Sequence, residues 1–116
     1  MTIRVAVLGA AGRMGSEVVR AVEAADAALG EVVHATDSLG GVCLVTADHG
    51  NAETMLAEDG VSPHTAHTTN LVPLVLTAEG RTLRDGELSD LAPTVLALLG
   101  LDKPAQMTGR VIAAMA

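Results

Sequence analysis

The chain has 116 residues, 49% of them apolar, with no Phe, Tyr or Trp and a formal net charge of −7. That length argues for a single domain, with a core of Val, Leu, Ile, Met and Ala and no ring anchors. The acidic balance excludes general nucleic-acid binding, which needs clustered Lys and Arg, and disfavours a phosphorylated ligand unless a metal ion or a helix N-terminus supplies positive potential.

In chain order, residues 3–8 (IRVAVL) predict a buried strand by length and β-branched content. A glycine-rich turn follows over Gly9–Gly15, and a helix starts from about Arg13. Its apolar positions, Val18, Val22, Ala25, Leu29 and Val32, alternate steps of four and three and trace one helical face. Gly30 should interrupt that helix at a cost of about 1 kcal/mol relative to Ala, and Ser38-Leu39-Gly40-Gly41 should stop it. Residues 42–47 (VCLVTA) predict a second buried strand, parallel to the first through a right-handed helical crossover. Cys43 lies inside it, where a lone cysteine reads as a small hydrophobe and excludes a disulfide framework. Residues 48–70 lack periodicity and hold three of the four histidines, as functional loops often do. Residues 71–77 (LVPLVLT) predict a third strand, which Pro73 pushes to a sheet edge and which suits an antiparallel neighbour. A last helix spans about Ser89–Leu99, capped by Ser89, with Asp90 in its first turn, a buried stripe of Leu91, Val95, Leu98 and Leu99, and Gly100 as its stop.

No apolar run approaches the roughly 18 residues of a membrane span, and Gly9 and Gly12 break the N-terminal stretch too early for a signal peptide. A cytoplasmic protein is expected, with no membrane or nucleic-acid partner and a small phosphorylated molecule as the candidate ligand.

The turn Gly9-Ala10-Ala11-Gly12-Arg13-Met14-Gly15 sits between a strand and a helix. There Gly9 permits a tight turn, Gly12 lets a pyrophosphate approach the backbone, and Gly15 allows close helix–strand packing. The helix N-terminus offers free N–H groups, and Arg13 a charge-assisted contact. The string VAVLGAAGRMG resembles the first strand and turn of dihydrodipicolinate reductase, over residues 3 to about 25. The resemblance implies that Gly9, Gly12, Arg13, Met14 and Gly15 touch the pyrophosphate of a nicotinamide nucleotide, NAD(P), though weakly. The reductase's substrate-binding half, with its His and Lys residues, does not follow.

The string Thr46-Ala47-Asp48-His49-Gly50-Asn51-Ala52-Glu53 ends a buried strand, where open α/β sheets place ligand groups. Adjacent strand residues point apart, so Asp48 and His49 should diverge and one strand end could serve two ions. With Pro63-His64-Thr65-Ala66-His67-Thr68-Thr69-Asn70 they form an oxygen and imidazole set suited to Mn²⁺ or Zn²⁺. TADHGNAE, HTAHTTN, VPLVL, LRDGELSDLAPTVLALLG and MTGR together resemble the C-terminal end of cofactor-independent phosphoglycerate mutase, of the two-metal alkaline-phosphatase-like group, over about residues 26–112. The resemblance implies Asp48 and His49 on one metal and His67 on the other, with His64 in an orienting or solvent-facing role. His34, on a helix, is expected to be merely exposed. The family's nucleophilic serine, its Asp-x-x-x-His motif and its Lys and Arg clamps have no counterpart in these residues, so neither mutase nor reductase turnover is expected. Asp48 also ends the second strand, where a dinucleotide fold keeps its ribose-binding acid, but it stands further from Gly15 than usual and inside the mutase string, which favours the metal role.

The expected architecture is thus α/β: a small three-layer open sheet with a Rossmann-like βα start, parallel core strands and an antiparallel edge strand, in one domain over residues 1–116. A reductase-like element over 1–25 is joined, near Ala21–Asp26, to a metal-ligand segment over 26–116. Three readings stand: a chimera carrying a partial metal site, a degenerate metal-dependent mutase or phosphatase, and a dinucleotide- or phosphate-binding module.

Overall fold

The computed structural model describes residues 13–51 and 53–115. The expected strand over 3–8, its parallel pairing with residues 42–47, and Gly9 and Gly12 of the glycine turn lie outside the described residues. The chain divides into two compact units, Met1–Gly41 and Val42–Ala116, with the division at the helix stop.

The first unit contains α1 (Arg13–Ser38). Arg13, Met14 and Gly15 form its first turn, as expected. The helix runs through Gly30 without a break, contrary to the expected interruption. Nothing lies within 4 Å of a Cβ built there, and a cost of about 1 kcal/mol is too small to break a 26-residue helix. Within α1, Leu29 and Val32 are exposed and Val22 is half-buried. The stop is the expected one: Gly40 adopts φ +71°, and the Gly41 N–H donates to the Thr36 carbonyl at 2.9 Å.

The second unit holds two antiparallel strand pairs. β1 (Leu44–Val45) pairs with β2 (Val75–Leu76), Leu44 opposite Leu76 and Val45 opposite Val75. Thr77 extends this ladder, its N–H donating to the Cys43 carbonyl at 3.0 Å and its hydroxyl accepting from the Cys43 N–H at 2.9 Å. The antiparallel relation between these two segments is the one expected. Both strands are shorter than expected, and Pro73 precedes β2, its carbonyl accepting the Thr46 hydroxyl at 2.9 Å. β3 (Arg81–Leu83) pairs with β4 (Ala113–Met115). Both strand pairings among the described residues are antiparallel.

A single 3₁₀ turn (Leu88–Asp90) leads into α2 (Leu91–Leu98). Here the structure corrects two expectations. The N-cap position of α2 is Asp90, not Ser89, and its carboxylate makes no bond to the helix; it accepts the Glu87 N–H at 3.0 Å in the preceding turn. The buried positions are Pro93 and Thr94, whereas Val95 and Leu99 are 41% and 66% exposed. The cause is polar: Thr94 is turned inward by its hydroxyl, which donates to the Asp90 carbonyl at 2.7 Å and accepts from the Ile112 N–H at 3.1 Å. Gly100 ends the helix at φ +70°, as expected.

Candidate metal centre between two loop strings

Asp48 and His49 follow β1, in a bend. The alternation of a strand no longer applies there, and the two side chains converge where divergence was expected: Asp48 Oδ1 lies 3.6 Å from His49 Nε2. His49 Nδ1 is 3.0 Å from the Gly50 carbonyl. That contact orients the ring, and Nε2 is the nitrogen turned toward the Asp48 carboxylate. Two donors on a tetrahedral ion with bonds of about 2.0–2.2 Å stand about 3.4 Å apart, so this pair fits one cation.

His67 comes from the second string, and its ring lies against that of His49, with centroids 3.6 Å apart at 33°. Two imidazoles on one tetrahedral ion keep their centres about 5 Å apart. The ring pair therefore does not suit a shared ion, whereas neighbouring ions about 3.5–4 Å apart would take one imidazole each. Among the described residues no three His, Cys, Asp or Glu side chains converge on one metal-holding point.

Glu53 joins the two strings. Its Oε2 accepts the Asn51 N–H at 2.8 Å, and its Oε1 accepts the Thr68 hydroxyl and the Asn70 amide, the latter at 2.9 Å. The Thr68 hydroxyl, then Glu53's own backbone and the Asn70 amide, lower its pKa from 4.5 to about 2. Beside it the Thr68 N–H donates to the Gly50 carbonyl at 2.8 Å, and Asn51 Nδ2 to the Ala66 carbonyl at 3.3 Å. Gly50 is buried, and a Cβ there would overlap the Thr68 hydroxyl and the Glu53 carboxylate. Sequence reasoning missed Glu53, although its place within TADHGNAE was a signal.

The remaining histidines stand apart. His64 is half-buried with an unpartnered Nδ1, and its backbone N–H donates to the Met55 carbonyl at 2.9 Å. His34 is exposed on α1, as expected. Cys43 is free and half-buried. Asp48 and His49 open onto a cleft of about 840 Å³ within the second unit, whose walls include Thr68, Asn70, Arg84 and Ile112. Arg84 is thus a cation on the wall of a cleft that also holds the Asp48 carboxylate.

The strings SDLAPT and MTGR prove to be scaffold. Asp90 is 3% exposed, and its Oδ1 accepts the Arg110 N–H at 2.7 Å. The Arg110 and Glu87 N–H groups hold its carboxyl below the usual range. Gly109 lies so close to Ser89 that a Cβ would overlap the Ser89 carbonyl.

Residues 8–103 match the profile of the metalloenzyme superfamily. The chain is similar to 2,3-bisphosphoglycerate-independent phosphoglycerate mutases. It is 57% identical to that of a Ruegeria species over 93 residues, 78% of this chain and 18% of the relative. It is 53% identical to that of Rhodopseudomonas palustris over 92 residues, 79% and 18%, and 52% identical to that of Shewanella halifaxensis over 95 residues, 81% and 18%. The chain thus spans about a fifth of the length of these relatives. The profile takes in the whole glycine turn as well as both histidine strings, and by it the chain belongs to the metalloenzyme superfamily.

Proposed function

We propose that this chain carries a partial divalent-metal site of a phosphoglycerate mutase-type enzyme, with Asp48 and His49 on one ion and His67 toward a second. The observation that carries the reading is the approach of Asp48 Oδ1 to His49 Nε2 at 3.6 Å, with the His67 ring alongside. A Mn²⁺ or Zn²⁺ ion held there supplies Lewis acidity and a clamp for phosphoryl oxygens. The chain's own residues bind and orient: Asp48 contributes charge, the Gly50 carbonyl orients the His49 ring, and the adjoining cleft offers Arg84 to an anion. With few protein donors per ion, water fills the open positions and affinity is low. Binding weakens in acid, where an imidazole that gains a proton loses its donor pair.

Calorimetric titration with Mn²⁺, Zn²⁺ and NADPH in parallel tests this. Metal binding lost in the His49→Ala, His67→Ala double variant is the expected result, and unchanged affinity in that variant overturns the ligand assignment. The chain alone should not convert 3-phosphoglycerate to 2-phosphoglycerate; turnover by the pure chain, abolished by His67→Ala, refutes that.

A second reading concerns the N-terminal element: a graft of a reductase-like βα unit over residues 3–25 onto the mutase-like segment. What motivates it is the string VAVLGAAGRMG, although the superfamily profile over residues 8–103 also takes in its turn. Such a graft would leave α1 continuous through Ala21–Asp26, as it is. On this reading the turn binds phosphate or NAD(P) with a dissociation constant of about 1 mM, on the order of −4 kcal/mol. It offers backbone donors and Arg13 but no pocket for a base. Micromolar NADPH affinity, lost in Gly12→Val, would rank this reading first.

A further inference from the structure

We propose that Glu53 is a positioning residue for the metal donors: without touching an ion, it holds His67 against His49 by locking the second histidine string onto the first. The inference rests on the metal reading above. His49 and His67 are 18 positions apart on a segment with little regular structure, so their ring contact needs a cause outside secondary structure.

Glu53 supplies it from both directions. Its Oε2 takes the Asn51 N–H and ties the carboxylate to the first string, two residues after His49. Its Oε1 takes the Thr68 hydroxyl and the Asn70 amide, the residues one and three positions after His67. Both oxygens are engaged by donors, which suits a holding role more than a metal ligand. Gly50 bears independent witness, because the space a Cβ would need there is filled by the two groups of the lock, the Thr68 hydroxyl and the Glu53 carboxylate. A neutral glutamine cannot replace this carboxylate. Thr68, Asn70 and the Asn51 amide all donate, so one donor would meet an amide NH₂ in place of a lone pair.

The experiment uses the full chain, with Zn²⁺ alone as the titrant and the nuclear Overhauser contact between the His49 and His67 ring protons as a metal-free readout. Glu53→Gln and Thr68→Val should each lose the ring contact and weaken Zn²⁺ binding about tenfold, with unchanged far-UV dichroism. Thr68→Ser, which keeps the hydroxyl, should retain both. The Glu53→Gln, Thr68→Val double variant should be no worse than either single change, because either one unties the two strings. A ring contact that survives in Glu53→Gln overturns the proposal, as does a Thr68→Ser variant that behaves like Thr68→Val. The metal reading fails separately: if the unaltered chain binds no Zn²⁺, that reading falls while the ring contact still decides the role of Glu53.

Discussion

Thr94→Val is the sharpest test of how the cleft wall is held. Thr94 is fully buried, and its hydroxyl both donates to the Asp90 carbonyl and accepts from the Ile112 N–H. Ile112 is 3% exposed and lines the cleft beside the candidate metal donors. Valine has the same shape and a similar helix propensity, so the change removes polarity and little else. It orphans a buried backbone donor, at about 1–3 kcal/mol. The added apolar methyl returns less than the roughly 0.8 kcal/mol of a buried CH₂. The net loss should be about 1–2 kcal/mol, which for a unit of this size lowers the melting temperature by about 4–15 °C. The chain has no aromatic residue, so unfolding is followed by far-UV dichroism in urea, with amide exchange at Ile112 as the local readout. Thr94→Ser, which keeps the hydroxyl, should leave the Ile112 amide protected. A Thr94→Val variant with the parental midpoint and a protected Ile112 amide would refute the reasoning.

Two further outcomes follow from the same coordinates. Gly109→Ala places a Cβ on the Ser89 carbonyl; because the obstruction is main chain, the second unit should lose about 1–3 kcal/mol, read as a lower urea midpoint. Glu53 has a lowered pKa, so its contribution is complete above its ordinary value of 4.5 and disappears as pH falls toward about 2. Acid titration followed by dichroism should show stability falling between those limits, and Glu53→Gln should flatten that part of the curve.

What could be read ahead of the structure was what depends on neighbours in sequence. The Gly40 and Gly100 stops are local backbone events and fell where expected. The β1 and β2 segments are apolar runs bounded by turns, and their antiparallel pairing followed from the lack of a helix between them. The two histidine strings carried the resemblance to the mutases. What escaped depends on contacts distant in sequence. β4 has the sequence AAM, poor strand material that becomes a strand only because Arg81–Leu83 lies alongside it. Thr94 interrupts an apolar pattern, and its burial makes sense only once the Ile112 N–H is found 18 residues on. Asp48 and His49 were assigned opposite directions by strand alternation, which stops at the bend they occupy. The lock made by Glu53 joins residues 15 and 17 positions apart and has no periodic signature.

Both histidine strings and the carboxylate that ties them lie on a single excursion between β1 and β2. That excursion leaves and re-enters the fold at neighbouring points, since Val45 stands opposite Val75. Its outer turn is closed by Asp59, whose carboxylate accepts from Ser62 and from the Val61 N–H. A segment with adjacent entry and exit is, in topological terms, an insertion, and lengthening its tip costs little because closure entropy grows only with the logarithm of loop length. The two histidine strings can therefore travel as a cassette. Any antiparallel pair of strands presenting two ends at the same spacing can accept it without rethreading the host chain.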